Sequence, residues 1–180
     1  VTVKPEAAAQ RSQRKAIVRL PPELLVRQQE RFPHHCEPNT VVSLFALRAL
    51  AQRINDRTNA ALAPLGLNAA KYNHLVVLYM TPSQMLTLSE ISDLIHTTNA
   101  SVSATIDGLE RDGLVKRTPN LADRRSMVVR LTARGRKRVE DAVPVRYDDT
   151  EVGMGVLSLD ERAQLASLLL RISAGFDSES

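Results

Sequence analysis

At 180 residues and 43% hydrophobic composition the chain can bury one sizeable core, and its 24 Lys and Arg against 20 Asp and Glu leave a net charge of +4. Many of the cations are gathered between residues 111 and 138, which favours a polyanionic partner over an ordinary basic surface. A single cysteine, Cys36, excludes a disulfide within the chain and suits a reducing compartment. The opening Val-Thr-Val-Lys-Pro-Glu has no apolar signal core, and the longest apolar run, Leu75 to Met80, is far short of the ~20 residues of a membrane span. A cytoplasmic protein without a membrane anchor is expected.

Residues 1 to 20 are polar and basic, with Arg11, Arg14, Lys15 and Arg19, and read as a flexible or partly helical arm. Pro21-Pro22 opens a short helix with Leu24, Leu25 and Phe32 on its apolar side, and Pro33 ends it. From Val41 to Ala63 the spacing of Leu44, Leu47, Ala51, Ile54, Thr58 and Ala61 predicts a long helix closed by Pro64 and Gly66. Asn68 caps a helix running to Met80. Thr87-Leu88-Ser89-Glu90 has the form of a capping box and predicts a helix over 88–95.

His96-Thr97 makes a turn, and Thr98 caps a second helix that reaches about Asp112, where Gly113 supplies the left-handed stop. Val102, Ile106 and Leu109 face inward, which sends Ala100, Ala104, Asp107, Gly108 and Arg111 outward with Ser101 and Ser103 on the flanks. Leu114 to Pro119 and Met127 to Leu131 form a hairpin, a wing, around the polar stretch 120–126. Thr132 caps a basic helix carrying Arg134, Arg136, Lys137 and Arg138, which Pro144 is expected to kink or interrupt. Ser158-Leu159-Asp160-Glu161 is a second capping box, and Leu165, Leu168, Leu169 and Ile172 form the stripe of a last helix.

A helix whose outer face carries short side chains fits the major groove. Asn99, Ser101, Ser103 and Thr105 can hydrogen-bond bases or phosphates, and the methyls of Ala100 and Ala104 can touch thymine methyls. In the wing, Asp123 can orient the Arg125 guanidinium for a phosphate or a narrow minor groove. A winged helix can also meet protein, but such a face more often exposes large apolar side chains. No Gly-rich phosphate loop, carboxylate pair or nucleophile with a base partner marks an enzyme. His34-His35-Cys36 raises a thiol sensor or a metal site using Cys36 and His34, yet adjacent ligands do not normally all point at one ion, so no metal or cofactor is expected. His74 and His96 stand alone and read as structural.

The run from Leu88 to Gly135, above all Gly113-Leu114-Val115-Lys116-Arg117, Asp123-Arg124-Arg125-Ser126 and Leu131-Thr132-Ala133-Arg134-Gly135, resembles the MarR family of winged-helix transcription regulators, and the likeness extends over 41–174. The resemblance implies a mainly α fold with a small β-hairpin wing, in which a winged helix-turn-helix is joined to interlocking N- and C-terminal dimerisation helices. The expected organisation is an arm and short helix over 1–40, a dimerisation helix over 41–67, a DNA-binding lobe over 68–135 and dimerisation helices over 136–180. Family recognition positions fall on Thr98, Asn99, Ala100, Ser101, Ser103 and Ala104, and the wing arginine on Arg125. Members often carry arginine where Ala104 and Gly108 stand here, so Lys116, Arg124, Arg125 and the arm are expected to carry more of the affinity.

The same resemblance implies a homodimeric repressor released from a pseudo-palindromic operator by a small aromatic or phenolic ligand. The candidate lining is Phe45, Arg48, Arg57, Tyr72, Asn73 and His74, where an arginine beside an aromatic ring suits a carboxylated aromatic. Gly66-Leu67-Asn68-Ala69-Ala70 and the extended N-terminus are similar to the urate-responsive branch, but Tyr72 and Asn73 stand where that branch has tryptophan and aspartate. Aromatic acids or their coenzyme A esters are the effectors expected instead.

Overall fold

The computed structural model describes residues 26–27, 30–32, 37–120 and 126–177. Its helices are α1 (Pro38–Leu62), α2 (Ala69–Met80), α3 (Leu88–Leu94), α4 (Asn99–Arg111), α5 (Ala133–Met154) and α6 (Leu159–Asp177), and a 3₁₀ turn, Ala63–Leu65, follows α1. Three strands complete it: β1 (Met85–Thr87), β2 (Val115–Pro119) and β3 (Met127–Leu131). The chain divides into two compact units, residues 1–56 and 57–180, the boundary falling inside α1.

In the first unit, residues 26–27 and 30–31 are helical, within the short helix expected after Pro21-Pro22. The arm, the start of that helix, Pro33 and His34-His35-Cys36 lie outside the described residues. The stripe that predicts α1 is largely exposed in this unit: Leu44, Ala51 and Ile54 are exposed and Leu47 half-buried. Farther along, in the second unit, Thr58 and Leu62 are buried.

The second unit is assembled by caps where the sequence places them. Gly66, at φ 68, closes the 3₁₀ turn, and Asn68 accepts from the Lys71 amide at 2.8 Å to start α2. Thr87 and Glu90 make both bonds of the capping box, at 3.2 and 2.7 Å. His96, at φ 50, turns the chain into α4, where Thr98 accepts from the Ser101 amide at 3.2 Å. Gly113, at φ 69, ends α4 and lets the Leu114 amide reach back to the Leu109 carbonyl at 2.9 Å. Glu161 and Ser158 complete the second capping box at the head of α6.

β3 is the centre of a three-stranded antiparallel sheet in the order β1-β3-β2. Val115 pairs with Leu131 and Pro119 with Met127, while Met85 pairs with Arg130 and Thr87 with Val128. The hairpin is the expected wing; β1 is an addition, three residues being too short to show an alternation. Behind the sheet, Leu75 and Leu78 of α2, Ile91 of α3, Val102, Ile106 and Leu109 of α4, and Val139 and Ala142 of α5 close a dry core with Val129. The inward set expected for α4 is therefore the set that is buried.

Of the kink or interruption expected at Pro144, the interruption does not occur: the basic helix runs continuously over Ala133–Met154. Proline removes one amide and leaves the carbonyl of Glu140 without its helical donor, but both residues are exposed, so water can satisfy that oxygen while the turns before the proline are held by packing at Val139 and Ala142.

The head of α5 is where the wing meets the helices. Thr132 accepts from the Gly135 amide at 3.0 Å, donates its hydroxyl to the Gly113 carbonyl at 2.7 Å, and gives its own amide to the Leu114 carbonyl at 3.0 Å. Gly135 is pressed so closely on Leu114 that a Cβ would stand 1.9 Å from the Leu114 oxygen. Gly135→Ala is accordingly expected to lower unfolding free energy by about 2 kcal/mol or more, read by urea denaturation; a stability equal to the parent's would contradict that close approach.

Candidate nucleic-acid interface

α4 is 13 residues long, roughly 20 Å, and its outer face is made of short groups. Thr98, Asn99, Ala100, Ser101, Ala104, Asp107 and Arg111 are exposed, and Ser103 and Thr105 are half-buried. The Thr105 hydroxyl donates to the Ser101 carbonyl at 3.0 Å, so it offers an incoming base an acceptor rather than a donor. Ser101, whose amide is held by the Thr98 cap, keeps its side chain on the exposed face.

The wing is tied to this helix by Arg117, a residue the sequence offers no reason to single out. Its guanidinium stands 2.6 Å from Asp107 and 3.0 Å from Glu110, and its amide donates to the other oxygen of Glu110 at 2.9 Å. The same guanidinium reaches the Ser103 carbonyl at 3.5 Å. One guanidinium thereby offsets part of the charge of two carboxylates on this side of α4. Only folding brings Arg117 back onto a helix turn seven to ten residues earlier, so no local spacing rule finds it. Lys116 is exposed on β2, one residue away. At the tip, Asn120 donates to the Ser126 hydroxyl at 3.0 Å and its amide to the Ser126 carbonyl at 3.0 Å; Asp123, Arg124 and Arg125 lie outside the described residues.

The candidate ligand residues separate between the units. Phe45 and Arg48 are exposed on α1 in the first. In the second, Arg57 donates to Asp149 of α5 at 2.5 Å, and Arg146 stands 3.7 Å from the same carboxylate while donating to the Thr150 hydroxyl at 2.6 Å. Burial pushes the Tyr72 phenol up, the Arg146 charge opposes it, and Tyr147 adds to the rise. Arg146, Tyr147 and Asp149 thus join Arg57 and Tyr72 through α5, a helix from which the sequence suggested no ligand contact. Asn73 is exposed on α2.

His74 is 3% exposed, and its Nδ1–H donates to the Ala70 carbonyl at 2.7 Å, which leaves Nε2 as an acceptor without a partner among the described residues. The imidazole is thus buried and only half satisfied. Burial lowers its pKa from the ordinary value of 6.5, with the Ala70 bond opposing.

Among the described residues no three His, Cys, Asp or Glu side chains converge on a metal position, and no helix is long and apolar enough to cross a membrane.

A turn joining α3 to α4, with a β2–β3 hairpin against the second helix, defines a winged helix-turn-helix DNA-binding protein. Residues 67–127 match the profile of the MarR family. The chain is 26% identical over 120 residues to the transcriptional repressor YetL of Bacillus subtilis, covering 67% of this chain and 72% of that protein. To the uncharacterized transcriptional regulator YkoM of the same organism it is 30% identical over 114 residues, covering 63% and 71%. A solved structure of a mutant MarR from Escherichia coli complexed with operator DNA superposes with a TM-score of 0.68 at 25% identity, covering 77% of this chain and 99% of that one. The chain belongs to the MarR family: it is a DNA-binding transcription regulator and not an enzyme.

Two outcomes follow from this geometry. Arg117→Ala should weaken duplex binding about tenfold, near the 1.4 kcal/mol of one partly buried charge network, yet leave the salt dependence of binding within experimental error, because the lost contacts are internal; a fall in the salt slope would instead make Arg117 a phosphate ligand. For His74, whose folded pKa is depressed, the neutral form's stabilisation is complete above about pH 6.5 and is lost as pH falls from there through the folded value. His74→Leu should therefore flatten the decline of stability between about pH 7.5 and 5, measured by denaturant melts; a decline as steep as the parent's would remove His74 as its source.

Proposed function

We propose that the chain acts as a homodimeric repressor that lays α4 of each protomer into successive major grooves of a pseudo-palindromic operator and lets go when a small aromatic or phenolic acid, or its coenzyme A ester, binds. The observation that carries this reading is the exposed face of short side chains on α4, held beside the wing by Arg117. Thr98, Asn99, Ala100, Ser101, Ser103 and Ala104 are assigned to base edges and the nearest phosphates. Lys116 is assigned to the backbone; Arg124 and Arg125 are assigned to the backbone or minor groove on sequence grounds.

Dimerisation is supported by apolar side chains left uncovered in the single chain. On α6, Leu168, Leu169, Ile172 and Phe176 recur at helical spacing and are all exposed, Phe176 by 67%. Repression is supported by the likeness to YetL, named as a repressor. An anionic aromatic effector is supported by the charge pattern around Asp149: a ligand carboxylate can replace Asp149 at Arg57, with Tyr72 and Tyr147 as ring partners.

Selection of duplexes from a random pool should return sites whose half-sites are centred about 34 Å, one helical turn, apart. Sedimentation should give a dimer free and bound. A monomer that selects no duplex at low salt would end the proposal. Aromatic acids screened by thermal melting should include one that adds about 2.7 kcal/mol of stability at a hundred times its Kd; that gain should be lost in Arg57→Ala, and retention there would remove Arg57 and Asp149 from the effector site.

A further inference from the structure

On the flank of α4 turned away from the wing lies a cleft of about 450 Å³, lined by Lys71 of α2, by Ser101, Ala104, Thr105, Gly108 and Arg111 of α4, and by Asp112. It exists because Ala104 and Gly108 leave the helix surface bare: a Cβ at Gly108 would stand 3.8 Å from the Lys71 side chain and 3.9 Å from the Arg111 guanidinium. Lys71 Nζ is held 2.6 Å from Asp112. Lys71, Arg111 and Arg134 all lie near that one carboxylate, and together they hold it below the usual range, the Lys71 hydrogen bond most strongly. Of these, Lys71 and Arg111 line the cleft with Asp112, so two cations against one acid leave an excess of one positive charge at an open hollow, with Arg134 close by.

Its position on the helix says what fills it. At about 100° per residue, the buried Val102, Ile106 and Leu109 mark one side of α4 and Ala100, Ala104 and Arg111 the opposite side. Ser103, Asp107 and Glu110, the residues that hold Arg117, lie on one flank between them; Ser101, Thr105, Gly108 and Asp112, which line the cleft, lie on the other. A helix filling the major groove has a phosphate strand along each flank. The wing meets the strand on the Arg117 side, and the cleft faces its counterpart.

We infer that this cleft seats a backbone phosphate of the operator, with Lys71 exchanging Asp112 for the phosphate oxygen and Arg111 closing over it. The inference rests on α4 lying in the major groove. Asp112 is then a built-in competitor: it parks the Lys71 ammonium in place and weakens non-specific binding, since a phosphate must displace it before the contact forms.

The test measures binding of a wild-type-selected duplex to the full-length protein between about 50 and 200 mM salt. Lys71→Gln should lower the slope of log affinity against log salt by about 0.9 for each seat engaged, while Lys71→Arg, which keeps the charge, should restore it. Asp112→Asn should bind several-fold more tightly at low salt. A wild-type slope in folded Lys71→Gln would overturn the seat while leaving the placement of α4 standing. Should Lys71→Gln fail to fold, unchanged affinity in Asp112→Asn would overturn the seat in its place. If the wild type binds no duplex, seat and groove placement fall together.

Discussion

Arg117 lies between Asp107 and Glu110, and the position of its guanidinium decides where the wing stands relative to α4. The hairpin has no hydrophobic face of its own large enough to dock independently: of β2 only Val115 is buried, and of β3 only Val129. Beyond those two core side chains and the ladder from β1 to β3, it is held by the Arg117 guanidinium and by the Thr132 and Gly135 junction, where backbone meets backbone with no room for a side chain. In the proposed complex helix and wing meet the same length of DNA at once, so the spacing held between them matters to the grip.

The electrostatics of the lobe follow from the same arrangement. A recognition helix containing Asp107, Glu110 and Asp112 is an unpromising surface to offer a polyanion. Each of these carboxylates is answered from another element: Arg117 of β2 covers the first two, and Lys71 of α2 the third. The acids sit on the flanks of α4 or near its end, and their partners surround a centre of alanine, serine and asparagine. In the proposed complex, small neutral side chains would leave the groove floor open while the paired acids stand toward the flanks.

How much of this was legible depended on the distance over which each signal acts. Caps and stops are local chemistry, and Asn68, Thr87, Thr98, Gly113 and Ser158 all sit where their side chains or φ values require. The inward stripe of α4 is a repeat within one helix, and it is the buried one. β1 escaped notice because three residues carry no period; its strand character comes from hydrogen bonds offered by β3. At Pro144 the missing amide is a local cost that did not end the helix, because the turns before it are anchored in the core at Val139 and Ala142.

By itself the sequence determined the order of the helices and the β2–β3 hairpin, the caps that separate them and the small, polar character of one helix face, since all of these are settled within a few residues along the chain. Only the tertiary structure decided which charges meet. Arg117 with Asp107 and Glu110, Lys71 with Asp112, and Arg57 with Asp149 join residues from 7 to 92 positions apart. Such pairs depend on how helices and strands pack, and no periodicity along the chain encodes the separation between two elements in space.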